Sequence, residues 1–180
     1  MAVVGRTVSE LGGTLSVKTV PGRGTRFTIK LPLTLAIADA LIVAVDNERY
    51  AMPQVAVEEI IRVEAASVVR AATGELVPYR GATLPLIRLS DVFGLQQKRK
   101  DAFHVLVVGR NGSSVGLAVD RVLSHREIVV RSIADPLMHT PSFSGATEVG
   151  DGRPILIIDP ETLIKHVLEQ GPKGRLYARS

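Results

Sequence analysis

Few residues in this chain are suited to chemistry. Gly22, Gly24 and Thr25, in "PGRGT", place two glycines and a hydroxyl within four positions, the raw material of a phosphate-cradling loop. Such a loop works by opening a helix whose N-terminal N–H groups face the anion. Here the segment follows one strand-like run and precedes another, "TRFTIKL", so it reads as a tight hairpin turn. His104, His125, His139 and His166 lie far apart, and no two share a metal-ligand spacing. His166 has Lys165 beside it, but neighbours at i+1 do not share a helical face, so a phosphorylated imidazole there would gain little from that cation. Glu58 and Glu59 are adjacent, and an extended backbone sends them to opposite faces, which suits a solvated edge better than paired acid–base work. The sequence has no G-x-S-x-G, H-E-x-x-H or G-x-x-x-x-G-K-S/T motif, and with no cysteine it lacks thiolate chemistry and disulfides. It holds no self-sufficient catalytic constellation.

The elements that would position these residues are mostly strands. Ala2 to Leu11 puts Val4, Val8 and Leu11 on one helical stripe, with Gly12-Gly13 as a C-terminal stop. "TLSVKTV" and "TRFTIKL" follow as a hairpin, with Phe27, Ile29 and Leu31 facing one way. An isolated hairpin cannot cover both of its faces. After Pro32 come the short β-rich runs "ALIVAV", "RYAMP", "IIRVE", "LVPY", "TLPLIRL", "FHVLVVG", "SVGLAVD", "EIVVRS" and "ILIID". Turns such as "DNE", "RNGS" and "GDGR" separate them, the grammar of an all-β barrel or sandwich. A weak repeat relates the hairpins turning at Asn47 and Asn111, as two similar small barrels would. Asp159 as N-cap and Pro160 at N1 begin a closing helix with Leu163, Val167 and Leu168 as its apolar stripe.

Composition sets the outer limits. In 180 residues, 46% are hydrophobic and 22% charged, so the chain buries a core and is not disordered. The longest apolar run, Leu31 to Val45, is shorter than the roughly 18 residues of a membrane span. A soluble, cytoplasmic protein without membrane insertion is expected. The net charge of +4 is spread thinly, with small clusters at Lys98-Arg99-Lys100 and in the tail from Lys173. Aromatic residues, at 4%, are too few for a base-stacking platform, so no nucleic-acid partner is expected.

Several segments in order resemble one family. "LGGTLSVKTVPGRGTRFTIKLPLTLAI" resembles the end of the ATP-binding domain of CheA-type chemotaxis histidine kinases, running through a hinge into their regulatory domain. "DNERYAMPQVAVEEII", "YRGATLPLIRLSDVFGL", "VGLAVDRVLSHREIVVRS" and "PSFSGATEVGDGRPILIIDPETLI" are similar to successive parts of that regulatory domain, itself similar to the CheW coupling protein. The resemblance implies a mainly β fold of two intertwined SH3-like five-stranded barrels, preceded by a helix-plus-hairpin remnant of an α/β ATPase domain. The implied divisions are 1–32 for the remnant, 33–37 for the hinge, 38–170 for the CheW-like domain and 171–180 for a flexible tail.

The implied partners are a CheW-type coupling protein, the chemoreceptor's cytoplasmic tip and the remainder of the kinase. ATP and Mg belong to the parent kinase. Of its nucleotide boxes only Gly22, Gly24 and Thr25 have counterparts here, so no cofactor is expected for this chain alone. The resemblance also places Arg80 and Gly81, in "YRGATLPLIRL", near the partner-binding surface. A guanidinium there offers a planar fork of donors, and the glycine permits a tight bend. Alternatively Arg80 pairs with a local acid. Tyr79 stands where the family usually has Leu. Three readings follow: a regulatory and scaffolding module of a chemotaxis kinase, a stand-alone CheW-like adaptor, or a nucleotide-binding phosphotransfer unit built on "PGRGT".

Overall fold

A computed structural model of the chain describes residues 4, 5, 7, 8, 13–22, 24–30, 36–72, 74–96, 100–110, 113–131, 142–150 and 152–170. Leu11, Gly12, Leu31, Pro32, most of the expected hinge and the tail 171–180 lie outside them. Val4, Gly5, Thr7 and Val8 are helical, and the Gly13 N–H donates to the Val8 carbonyl at 2.8 Å, as a glycine-rich helix stop requires. Strands β1 (Thr14–Val20) and β2 (Gly24–Lys30) form the expected antiparallel hairpin. Leu15 pairs with Ile29 and Val17 with Phe27, giving one apolar face. Val17, Phe27 and Ile29 on that face are about half exposed (50%, 48% and 48%).

The remaining strands form two sheets. One takes the order β11-β3-β4-β13-β12 from β3 (Ala36–Val45), β4 (Glu48–Pro53), β11 (Arg121–Val130), β12 (Phe143–Glu148) and β13 (Pro154–Ile158). The other takes the order β5-β9-β10-β8-β7-β6 from β5 (Val57–Glu64), β6 (Val69–Ala71), β7 (Gly74–Tyr79), β8 (Ala82–Arg88), β9 (Ala102–Arg110) and β10 (Ser113–Val119). The short strand β6 adds a sixth to the expected five.

The repeat seen faintly in sequence is plain in this topology. Hairpin β9–β10 stands to β5, β8 and β7 as hairpin β3–β4 stands to β11, β13 and β12. β8 lies parallel to β10, and β13 lies parallel to β4. After β4 the chain crosses sheets to become β5, and after β10 it crosses back to become β11. Each sheet therefore takes one strand from the continuation of the other's hairpin. Both crossing strands carry a register shift near their start, between Val57 and Glu59 and between Val122 and Ser124. Bulges of this kind bend a strand and increase its twist.

The β3-containing sheet closes on itself. Arg131, just past β11, exchanges both backbone hydrogen bonds with Ala146 of β12, at 2.8 and 2.9 Å. Gly145 permits the approach, because a Cβ there would stand 2.8 Å from the Arg131 carbonyl oxygen. Closure removes the free edges that would otherwise invite pairing with another chain.

Alternation within the strands sorts the core into three layers. Phe103, Val105 and Val107 of β9 turn inward with Val63, Val77, Leu84 and Leu86. Ala40 and Ile42 of β3 turn inward in the other sheet with Ile128, Ile155 and Ile157. The opposite faces of these strands, Leu41, Val43 and Val45 with Leu106, Val108, Leu117 and Val119, meet in a shared central core. Strands buried on both faces must be apolar throughout, hence the unbroken runs "ALIVAV" and "VLVV". Burying each such Leu or Val stabilises by about 1.5–3 kcal/mol.

Two helices cap this central layer, each following the last strand of a sheet's hairpin. Helix α1 (Leu89–Val92) follows β8, and helix α2 (Pro160–Gln170) follows β13. Asp159 caps α2 as its sequence suggests, accepting from the Thr162 N–H at 3.2 Å and from the Thr162 hydroxyl at 2.8 Å. Leu163 is fully buried and Val167 packs against the core, but Leu168 is 70% exposed and does not belong to the stripe. Five residues on from Leu163, it is turned about 140° away. Tyr50, Phe93 and Phe143 stack with centroids 4.6 and 5.4 Å apart, fastening β4, the end of α1 and β12 together.

Candidate functional site

The β7–β8 hairpin turns on Arg80 and Gly81, between the paired residues Tyr79 and Ala82. Both turn residues have positive φ, 47° and 78°, as a two-residue turn matched to the twist of its strands demands. Gly81 adopts this conformation freely. Arg80 does so at a cost of roughly 1–2 kcal/mol, since its Cβ crowds the following carbonyl. A non-glycine residue held in this region points to a role for its side chain.

That side chain folds back across the seam of its sheet. Arg80 Nη2 donates to Glu59 Oε2 of β5 at 2.7 Å, and the Tyr79 hydroxyl donates to the same oxygen at 2.8 Å. The guanidinium also lies over the Tyr79 ring, 5.2 Å from its centroid. Glu59 thus ties edge strand β5 to β7 by side chains, where no backbone ladder joins them. The Tyr79 hydrogen bond is the strongest influence holding the Glu59 carboxyl below its usual range; desolvation opposes it, and the Arg80 charge reinforces it. The same hydrogen bond is the main cause raising the Tyr79 phenol. Of the two readings of Arg80, the local ion pair is present in the structure. The Arg80 side chain is nevertheless 72% exposed, so most of its donors face outward on a fixed stem. Glu58 makes no hydrogen bond to the cluster, although its charge adds to the rise of the Tyr79 phenol. It is the extra residue of the β5 bulge and turns toward Ser114, at 3.4 Å, and Gly109.

The other sequence candidates stay apart. Gly22 and Gly24 have φ of 74° and 103°, and Thr25 Oγ1 faces Thr19 Oγ1 across the hairpin at 3.1 Å. A Cβ on either glycine would meet nothing within 4 Å. His104 Nδ1 lies 3.4 Å from the Asp120 carbonyl oxygen, His125 lies 3.8 Å from Asp39, and His166 is half-buried on α2. Lys165 pairs with Glu169, not His166. His139 lies outside the described residues. Among the described residues no three potential ligands gather as a metal site, and no helix is long and apolar enough to cross a membrane. Leu84 and Leu86 are buried, and Ile87 packs against the central core.

These features define a paired-barrel β module that presents its polar groups on hairpin turns and strand faces. The CheW-like domain model matches residues 39–168, and the chain belongs to that family. The chain is 34% identical over 164 residues to chemotaxis protein CheA of Bacillus subtilis, a match covering 90% of this chain and 24% of the relative. It is also 34% identical over 180 residues to CheA of Treponema pallidum, covering 98% and 22%. The chain therefore spans about a quarter of the length of these relatives. The scaffolding protein TtCheW from Thermoanaerobacter tengcongensis superposes with a TM-score of 0.56 at 21% identity, over 68% of this chain and 88% of that one, which shows a shared fold.

Proposed function

We propose that the chain is the regulatory and scaffolding module of a cytoplasmic chemotaxis histidine kinase, non-catalytic in itself. Its barrels dock a CheW-type coupling protein and the tip of a chemoreceptor, within arrays assembled at the membrane. The observation that carries this reading is the family match over residues 39–168 together with CheA relatives that align beyond it, through the leading hairpin. A kinase module, unlike a stand-alone adaptor, has use for that hairpin. Its half-exposed face of Val17, Phe27 and Ile29 packs against the rest of the kinase's ATP-binding domain. The domain divisions follow: 1–32 belong with the ATP-binding domain, 33–37 link it to the docking module, and 38–170 dock partners.

At the docking surface, Arg80 presents its outward donors to a carboxylate or a helix-end carbonyl of the partner. Gly81 makes the bend that projects it, and Glu59 and Tyr79 fix its stem. A preorganised guanidinium loses less entropy on binding than a free one. Titrating the 180-residue chain with a CheW-type coupling protein should give saturable association at about micromolar concentrations. Absence of binding at tens of micromolar would overturn the proposal. Millimolar ATP should leave the Gly22, Gly24 and Thr25 amides unshifted in NMR, and saturable shifts there would instead favour nucleotide binding at that turn.

A further inference from the structure

At the far end of β5 from Glu59, a recess of about 370 Å³ opens between the sheets, lined by Arg62, Lys100, Ala102, Phe103, His104, Asp120 and Arg121. The fold builds it from separate parts of the chain. Arg62 and His104 are cross-strand partners on β5 and β9, Lys100 precedes β9, and Asp120 and Arg121 mark the crossing from β10 to β11. Among the described residues, three permanent cations therefore line one concavity with a single carboxylate, and that carboxylate is already engaged. Asp120 Oδ2 accepts the Asp46 N–H at 2.7 Å, and Oδ1 lies 3.3 Å from Lys100 Nζ. Arg62 and Arg121 have no ion-pair partner among the described residues, and both residues line the same recess.

Gathering unpaired like charges raises the energy of the empty site, and an anion entering it relieves that repulsion. Two guanidinium forks and an ammonium suit a compact anion with several oxygens better than a single carboxylate. The volume lies within the usual range for small-ligand sites. We propose that this recess binds a compact multivalent oxyanion of the phosphate-ester or pyrophosphate class. It is separate from the Glu59–Arg80 cluster and does not depend on the docking function proposed above. Because Lys100 also holds Asp120, anion binding competes for that ammonium and loosens its contact at the start of the strand crossing.

The test is an amide NMR titration of the 180-residue chain with inorganic pyrophosphate, against sodium chloride of matched ionic strength. Saturable shifts centred on Phe103, His104 and Arg121 are expected. The double variant Arg62→Gln/Arg121→Gln, changed at two exposed side chains, should weaken the apparent Kd at least about tenfold, while Glu59→Gln leaves it unchanged. Pyrophosphate should also raise the melting temperature of the parent chain and not of the double variant. Shifts that fail to saturate by about 10 mM, or equal affinity in the double variant, would overturn the site. Saturation by a glutamate-rich peptide but not by pyrophosphate would likewise overturn it, in favour of an acidic protein partner.

Discussion

Asp120 and Asp46, 74 positions apart, are joined by a 2.7 Å hydrogen bond from the Asp46 backbone N–H to Asp120 Oδ2. Asp46 sits in the β3–β4 turn with φ 54°, and Asp120 sits where the chain leaves one sheet for the other. The Asp120 N–H in turn donates to the Ala44 carbonyl at 2.9 Å. One residue thus fastens the turn of one barrel to the strand exchange that enters it. Asp120→Ala should destabilise the chain by about 1.5–3 kcal/mol, the usual loss for a hydrogen bond to a charged group. Asp120→Asn, which keeps one acceptor oxygen, should lose less than half of that. Urea unfolding of the three proteins checks the ranking.

Replacing Arg80 separates stability from recognition. Arg80→Gly removes the strain of a positive φ and, with it, a weak surface ion pair, so the two changes nearly cancel. The melting temperature should move by no more than about 4 °C. Affinity for a CheW-type coupling protein should fall about tenfold, as when a well-placed interface arginine is lost. Calorimetric melting and a binding titration on the same preparation check both halves.

The Glu59–Tyr79 pair predicts opposite titrations. Glu59 is lowered, so its contribution to stability is present above the ordinary glutamate pKa and is lost as pH falls through the folded-state value. Tyr79 is raised, so its contribution holds below the ordinary phenol pKa and is lost as pH rises through its own folded-state value. Carboxyl-carbon NMR should place the Glu59 midpoint below that of an exposed glutamate. Tyr79→Phe should move that midpoint up toward the ordinary value, and an unchanged midpoint would contradict the assignment of cause.

Gly145 closes the β3 barrel, and a side chain there would press on the Arg131 carbonyl at 2.8 Å. Gly145→Val should cost about 1–3 kcal/mol through forced backbone displacement. Hydrogen exchange should quicken first at the Arg131 and Ala146 amides, whose mutual bonds form the closure.

Much of this fold can be read in the chain because its central strands are buried on both faces. β3, β9 and β10 announce themselves as unbroken apolar runs between polar turns, and the Asn47 and Asn111 hairpins betray the duplication. β6, with three residues, is too short to show a period. β12, "FSGATE", hides because small residues let it approach Arg131 and provide no alternating apolar signal. Arg80 and Gly81 could be singled out only through family resemblance. Their companions Glu59 and Tyr79 could not, because the contact exists only once β5 and β7 face each other across a seam without a ladder. Likewise Arg62, Lys100 and Arg121 look like scattered surface charge until strand exchange gathers them.

Strand β3 has a mechanical meaning beyond its contribution to stability. Ten residues long, it begins within the expected hinge, at Ala36, and runs, wedged between two apolar layers, into the heart of the module. A rod gripped on both sides cannot slide or swivel alone. Any tug on its exposed end is felt by both barrels at once, with no slack to absorb it.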